Sequence, residues 1–453
     1  MNSSVVGKMD DKPMSAYQWF VIALCFLINM LDGFDVLVMA FTAASVASQW
    51  ALSGVQLGYL LSAGLVGMAL GSLVIAPWAD RIGRRPLIML CIAIAGVGML
   101  ASAYTQSAVQ LGALRLFTGL GIGGILASSY VIAGEYASSR WRGLAISLQA
   151  TAYALGATIG GLIATQLIPS LGWRSVFLYG GVATLVTLPV MFLWLPESLD
   201  FLIAKRPSNA LGKMNIIRLK VGLEPLAQMP AFNQSTATAG ANRVASLLAP
   251  GLAASTLLIW AAFFIVMFGF YFVMSWTPKL LVTAGLSNQQ GITGGVLLNV
   301  GGIVGTSLIG FLAAKYRLSR VLMLYLIINA ALMCTFVSLL GNLGMAFAAA
   351  LAIGVFVNGC VAGLYALTPN IYTATQRVTG LGWAIGVGRI GAIVSPLVAG
   401  KLIDASWRPD ELFSLYGLVF LGAALAVYQI QRRSSASTAP QPLVMHDAPE
   451  TAD

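Results

Sequence analysis

The sequence predicts an all-α, polytopic membrane protein with twelve transmembrane helices in two pseudo-symmetric six-helix bundles. Three observations lead to this fold class. Of the 453 residues, 58% are hydrophobic and only 9% are charged, whereas a soluble protein carries about 25% charged residues. The apolar residues form twelve runs, each long enough for a bilayer, which takes roughly 20 residues. Finally, the second six runs repeat sequence patterns of the first six.

The twelve apolar runs define the predicted helices in order. They are 17–47, 54–78, 86–105, 107–134, 141–168, 173–195, 250–280, 288–314, 320–340, 343–372, 375–403 and 411–431. The predicted organisation is a cytoplasmic N-terminal segment, a six-helix bundle, a central cytoplasmic loop, a second bundle and a disordered cytoplasmic tail, at 1–16, 17–195, 196–249, 250–431 and 432–453. The tail is rich in Ser, Ala and Pro, which favours disorder.

An internal duplication supports the division into two halves. The matching segments are 32–35 with 268–271, 76–85 with 310–319 and 142–168 with 377–403, at offsets of 236, 234 and 235. Three registers this close indicate one duplicated six-helix unit. The acids of the first half are replaced by Phe268 and Tyr271 in the second, which suggests that one half carries protons and the other supplies aromatic surface.

The basic residues predict the orientation in the membrane. With the N-terminus inside, nineteen Lys and Arg residues fall in cytoplasmic loops and four in outer loops. Such an excess places both termini in the cytoplasm. It also explains the net charge of +10 without a nucleic-acid partner. The first apolar run is too long for a signal-peptide core, so we expect it to be retained.

Asp32 and Asp35 interrupt the first apolar run near its middle. A carboxylate there costs roughly 2.5–3.5 kcal/mol, so two of them imply a function. At this spacing both lie on neighbouring parts of one helix face, where burial and mutual repulsion disfavour the charged forms. The only histidine, His446, lies in the tail, so these acids are the predicted proton carriers. The alternative is that an intramembrane arginine neutralises one acid and only holds helices together.

Two arginines also fall inside predicted helices. Arg115 lies about two turns from the outer end of the fourth helix, where Asp35 is its expected partner and substrate contact is the alternative. Arg389 lies near the middle of the eleventh helix, with no acid in the second half's helices to pair with. An anionic substrate is therefore its natural counter-charge. The polar and aromatic groups predicted at the same depth are Tyr271, Asn358 and Tyr365.

Six plus six helices with a long central loop resemble the major facilitator superfamily, in which substrate binds at the midplane between the halves. The most specific mark is the segment 80–85, similar to the family's GxxxDRxGRR signature, with Ala76 in place of the leading glycine. The resemblance implies a cytoplasmic gate whose salt bridges favour the outward-open state. Its residues would be Asp80, Arg81, Gly83, Arg84, Arg85, Glu135 and Arg142. Incidental pairing of positive-inside charge is the alternative.

A finer resemblance rests on DGFD at 32–35, RxxxGxG from Arg115 and GRIGAIVSP around Arg389. Together they resemble the aromatic acid:proton symporters of this superfamily, which take up benzoate-like and hydroxybenzoate-like acids in bacteria. The resemblance implies import through the bacterial cytoplasmic (inner) membrane by alternating access. Asp32 and Asp35 would carry protons, Arg389 and Arg115 would hold the carboxylate, and Tyr271 and its neighbours would contact the ring.

Other functions stay open at this level. The segment 195–198 is similar to the PES motif of sugar-porter-like branches, so the alternative is a proton-linked sugar or polyol porter, or another organic-anion porter. Two buried arginines disfavour a neutral substrate. A membrane enzyme is disfavoured because HExxH and GxSxG patterns are absent, and a sensor because the tails are short. We expect no enzymatic activity, cofactor or metal, and a monomer.

Overall fold

The computed structural model describes residues 13–229, 245–373 and 376–437. This part of the chain is almost entirely helical and contains twelve helices long and apolar enough to cross a membrane. They are α1 Ala16–Trp50, α2 Gly54–Ile82, α3 Arg84–Ser102, α4 Ala108–Tyr136, α5 Arg142–Leu171, α6 Trp173–Trp194, α7 Ala253–Thr283, α8 Asn288–Lys315, α9 Leu318–Phe336, α10 Leu343–Leu367, α11 Arg377–Asp404 and α12 Pro409–Ser437. All twelve predicted spans are confirmed.

Two segments differ from the prediction. The central segment, expected to be a loop, contains two short helices, Leu199–Lys205 and Ala210–Lys220. Their apolar residues pack against the first bundle, and such short amphipathic stretches do not stand out within a polar segment. The predicted disordered tail starts at 432, but α12 continues through Ser437. Residues 1–12, 230–244 and 438–453 lie outside the described residues.

The packing pattern repeats between the halves. In the first, α1 packs on α5, α2 on α4, and α3 on α4 and α6, and in the second, α7 packs on α11, α8 on α10, and α9 on α10 and α12. A Cβ on Gly67 would lie 2.2 Å from the Leu116 carbonyl oxygen, and one on Gly301 would lie 2.1 Å from the Leu351 carbonyl oxygen. These glycines allow the same close helix contact in each bundle.

The two bundles meet near one end of the molecule. We call the end where α1 begins, which carries Arg84 and Arg140, the basic face, and the end where α1 finishes the opposite face. The bundles pack through α2 on α11, α5 on α8 and α1 on α7. The hydrogen bonds between described residues of the two bundles all lie in the half nearer the opposite face: Gly54 N and Val55 N to the Asp404 carboxylate, and Ser62 Oγ to Ile393 O. The molecule is therefore closed at the opposite face.

Candidate functional site

Asp35 and Arg115 form a buried ion pair in the first bundle. Arg115 Nη1 donates to Asp35 Oδ1 at 2.7 Å, and Arg115 Nη2 donates to Ser102 Oγ and Thr118 Oγ1, each at 3.1 Å. The guanidinium lies 5.0 Å from the centroid of the Phe177 ring. The predicted pairing of Arg115 with Asp35 is thus confirmed, and it satisfies a charge that would otherwise be costly in a membrane. A role of Arg115 in holding substrate stays a prediction.

Asp32 has different surroundings, although it lies one turn away. Its carboxylate is buried, forms no ion pair with the described residues, and its Oδ2 has no hydrogen-bond partner among them. The cavity beside it is lined by Asp35 and Thr184 and otherwise by apolar side chains of α1, α3 and α4. The structure therefore separates two acids that the sequence assigns to one role.

Close packing of α1 on α5 positions this part of the site. A Cβ on Gly33 would lie 1.9 Å from the Tyr153 carbonyl oxygen, and one on Gly156 would lie 1.7 Å from the Met30 carbonyl oxygen. Glycine at both positions lets the two backbones touch. The glycine of DGFD therefore brings Tyr153 close to Asp32.

A buried polar network joins three helices one turn from Asp32. Asn29 Nδ2 donates to Ser129 Oγ at 3.1 Å and to Gln149 Oε1 at 3.0 Å. The three side chains are buried, so their hydrogen bonds fix how α1, α4 and α5 are rotated against each other. The network places Tyr130, next to Ser129, near Asp32. The sequence reading missed this network, and its signal was polar residues within apolar runs.

Arg389 is the central charge of the second bundle. It is half-buried, and it forms neither an ion pair nor a hydrogen bond with the described residues. It lies near Tyr271 on α7 and Tyr365 on α10, and near Tyr153 on α5 of the first bundle. The structure therefore brings Arg389, Tyr271 and Tyr365 together, as the sequence predicts. It adds Tyr153 and Tyr130, which the sequence reading missed.

Asn358 lies in a contact between two helices of the second bundle. Asn358 Nδ2 donates to the Gly354 carbonyl oxygen at 3.0 Å, and its side chain packs on Gly302 of α8. Its role in binding substrate stays a prediction.

The expected absence of acids from the helices of the second bundle is wrong at the ends of these helices. There, Asp404 ends α11, and Asp410 and Glu411 begin α12. These acids lie at the opposite face. The sequence did not assign them to the helices, because apolar runs define helix ends poorly.

A second charged cluster lies at the basic face. Arg84 Nη1 lies 3.1 Å from Glu135 Oε1, and Glu135 Oε2 accepts from Leu199 N at 2.8 Å and from the Ser198 hydroxyl at 2.7 Å. Glu197 Oε1 accepts from Arg84 N at 2.9 Å and thereby caps α3. The PES segment, read from the sequence only as a mark of a transporter branch, therefore belongs to this cluster.

The other predicted gate residues surround this cluster. Asp80 is 79% exposed and lies 3.9 Å from Arg84 Nη2. Arg142 Nε donates to the Gly134 carbonyl oxygen at 3.1 Å. Gly83 has a φ of +104°, which favours glycine. Arg81 is exposed, and the Arg85 guanidinium donates to the Phe192 carbonyl oxygen. In this conformation the ion pairs of the cluster lie within the first bundle, and its role as a gate stays a prediction.

Comparisons with known proteins agree with this architecture. The model of the family described as Major Facilitator Superfamily matches residues 22–334. The chain is 33% identical over 441 residues to the gallate transporter of Pseudomonas putida, which covers 95% of this chain and 97% of the relative. It is 31% identical over 417 residues to the 3-(3-hydroxy-phenyl)propionate transporter of Escherichia coli, which covers 91% and 94%. It is 30% identical over 420 residues to the 4-hydroxybenzoate transporter PcaK of Pseudomonas putida, which covers 92% and 93%.

Solved structures show the same fold at low sequence identity. An inward-facing, occupied bacterial homolog of the human lysosomal transporter Spinster has a TM-score of 0.73 at 18% identity, covering 93% of this chain and 98% of that chain. The inward-open xylose transporter XylE from E. coli has a TM-score of 0.72 at 17% identity, covering 91% and 96%.

The chain has twelve spanning helices in two bundles, with charged groups near the middle of both. This arrangement defines a membrane transporter rather than an enzyme. The chain belongs to the major facilitator superfamily. The predicted resemblance to the aromatic acid transporters of this superfamily is confirmed.

Proposed function

We propose that this protein imports an aromatic carboxylate of the benzoate and hydroxybenzoate class together with protons, by alternating access across the cytoplasmic membrane of a bacterium. The proposal rests on the surroundings of Arg389. It lies at mid-helix among Tyr271, Tyr365 and Tyr153, without a counter-ion in the described residues. A cation at this depth is costly unless an anion comes to it.

The groups around Arg389 suit both the carboxylate and the ring of an aromatic acid. A guanidinium binds a carboxylate through two parallel hydrogen bonds. The tyrosines offer ring faces for an aromatic ring and hydroxyls for its substituents. The names of the relatives, which include gallate and 4-hydroxybenzoate transporters, support the same class of substrate.

Proton coupling is supported by the two acids on α1. The membrane potential opposes the entry of an anion by about 2.3 kcal/mol per 100 mV, and one co-transported proton cancels this cost. Asp32 is buried without an ion pair to the described residues, whereas Asp35 is already paired with Arg115. A buried acid without a cation is stable when protonated, so Asp32 suits the uptake and release of a proton.

The distribution of basic residues supports an orientation of the protein in the membrane. Nineteen basic residues in the predicted cytoplasmic loops against four outside support cytoplasmic termini and a cytoplasmic basic face. The opposite face, closed by contacts between the bundles, would then be periplasmic. The described conformation would be the one in which the site communicates with the cytoplasm. We propose a monomer, because each chain carries both bundles.

A thermal-shift screen of the purified protein tests the substrate class. Benzoate-like acids should raise its Tm, whereas benzamides, aliphatic dicarboxylates and hexoses should raise it much less. Arg389→Lys keeps the charge but loses the planar fork, so it should reduce the shift by aromatic acids. The matched control is Arg408→Lys, because Arg408 is exposed at the opposite face and pairs with Asp410. Stabilisation by a hexose and by no aromatic acid would overturn the proposal.

A further inference from the structure

Four tyrosines surround the proposed site, two from each bundle. Tyr130 lies on α4, Tyr153 on α5, Tyr271 on α7 and Tyr365 on α10. Tyr153 lies near Tyr130 and Tyr271, and Tyr365 lies near both Tyr130 and Tyr271. The four phenols therefore form one group with members from both bundles.

The hydroxyls of these four tyrosines form no hydrogen bond with the described residues. Some buried phenols of the chain do have a partner inside the protein: Tyr136 donates to Glu197 O, and Tyr416 to Ser395 O, each at 2.8 Å. A phenol inside a protein normally has a hydrogen-bond partner. Four such hydroxyls around one site thus offer donors and acceptors to a bound molecule.

The group has two chemically different ends. At one end, Arg389 lies near Tyr271 and Tyr365, and this end suits a carboxylate. At the other end, Asp32 lies near Tyr130 and Tyr153, and this end offers neutral or acidic oxygen groups. Tyr153 also lies near Arg389 and so contributes to both ends. An aromatic acid whose carboxylate faces Arg389 would therefore direct its ring substituents towards Tyr130 and Tyr153.

The packing of the first bundle holds these two tyrosines in place. The carbonyl oxygen of Tyr153 lies against Gly33. The buried network of Asn29, Ser129 and Gln149 ties α4 and α5 to α1 beside them. Preorganised hydrogen-bonding groups discriminate strongly, because a ligand that lacks the matching group leaves them unpaired.

We propose that Tyr130 and Tyr153 select for ring hydroxyl groups, so that the preferred substrate is a hydroxylated aromatic carboxylate rather than benzoate. This inference rests on the proposed function. Arg389 would bind the carboxylate shared by the whole class, and Tyr130 and Tyr153 would bind the hydroxyls that distinguish its members. Phenols suit this task because they both donate and accept.

Binding constants of the purified protein for benzoate, 4-hydroxybenzoate and 3,4,5-trihydroxybenzoate test the proposal. Wild type should bind the hydroxylated acids more tightly. Tyr130→Phe and Tyr153→Phe should each weaken their binding roughly threefold to tenfold, which corresponds to one hydrogen bond. The affinity for benzoate should fall by a smaller factor, since benzoate has no ring hydroxyl to make such a bond. Tyr104→Phe is the control, because Tyr104 is 68% exposed at the opposite face.

The outcomes separate this inference from the function it rests on. An equal loss of affinity for benzoate and the hydroxylated acids would assign both tyrosines to packing and overturn the selectivity. Unchanged affinities in both variants would overturn it too. If wild type binds no aromatic acid at all, the proposed function itself fails. Tight benzoate binding without hydroxyl discrimination contradicts only the present inference.

Discussion

At the scale of single residues, Asp32 and Asp35 share a helix face and a motif but not an environment. Asp35 is held by Arg115, which Ser102 and Thr118 also bind. Asp32 lies in largely apolar surroundings without an ion pair to the described residues. Removing one partner of a buried ion pair leaves the other charge buried and unpaired. The two acids should therefore respond differently to the same substitution.

We expect Asp35→Asn to lower the stability of the protein, by about 3–5 kcal/mol if Arg115 stays charged. Asp32→Asn should keep the Tm but abolish substrate accumulation driven by a proton gradient. Thermal melting and uptake into proteoliposomes measure the two effects. The control for Asp35 is the double variant Asp35→Asn with Arg115→Gln, which should regain part of the lost Tm. Equal melting shifts for Asp32→Asn and Asp35→Asn would contradict this division of roles.

At the scale of helices, α11 of one bundle caps α2 of the other. The carboxylate of Asp404 accepts from Gly54 N at 2.5 Å and from Val55 N at 2.9 Å. These first-turn amides have no partner within their own helix. The close approach needs glycine, since a Cβ on Gly54 would lie 2.5 Å from the Gly400 carbonyl oxygen. The cap therefore contributes to the closed opposite face.

We expect Asp404→Asn to weaken this closure, because a carboxylate at a helix N-terminus contributes about 0.3–1 kcal/mol. That energy corresponds to a shift of roughly twofold to fivefold in the ratio of the two conformations. Spin labels at Val109 and Leu343, at the opposite-face ends of α4 and α10, would report the change as a larger population of long distances.

The matched control for Asp404→Asn is Asp410→Asn. Its carboxylate pairs with Arg408, two residues away in the same bundle, so the distances between the labels should not change. Indistinguishable distance distributions for Asp404→Asn and wild type would mean that the cap does not contribute to closure.

At the scale of the whole molecule, the two faces differ in what holds them. The opposite face is closed by hydrogen bonds between the bundles. At the basic face, the ion pair of Arg84 and Glu135 lies within the first bundle, and Asp80 is largely exposed. Asp80 would therefore contribute to a lock only in the other conformation, in which the basic faces of the bundles approach each other.

We expect Asp80→Asn to favour the described conformation, since it removes a contact available only to the alternative one. With the same spin labels, it should reduce the population of long distances, up to about fivefold for an exposed ion pair. This sign is opposite to that of Asp404→Asn. Asp410→Asn, whose carboxylate pairs with Arg408 in the same bundle, is again the control. A shift of Asp80→Asn towards longer distances would contradict its place in the gate.

Much of the fold could be predicted from the sequence, because a bilayer requires long apolar runs and tolerates few charges. The prediction failed where this constraint is weak. The helix ends carrying Asp404, Asp410 and Glu411 lie at the surface, and the short helices after α6 lie outside the apolar runs. Of the site, the sequence identified the pair of Asp35 and Arg115, because a buried charge needs a partner.

The sequence by itself determined the twelve spans, the duplicated halves, the family and the charges placed at the middle of the membrane. Only the tertiary structure decided that Asp32 lacks an ion pair with the described residues, that Tyr130 and Tyr153 lie near it, and that Glu197 and Asp404 cap helices. The physical reason is that each helix can be rotated about its own axis without changing its apolar character. A spanning helix is apolar on all sides, so its hydrophobic pattern does not specify which face meets which neighbour. That choice depends on glycine contacts and buried hydrogen bonds between residues far apart in the chain.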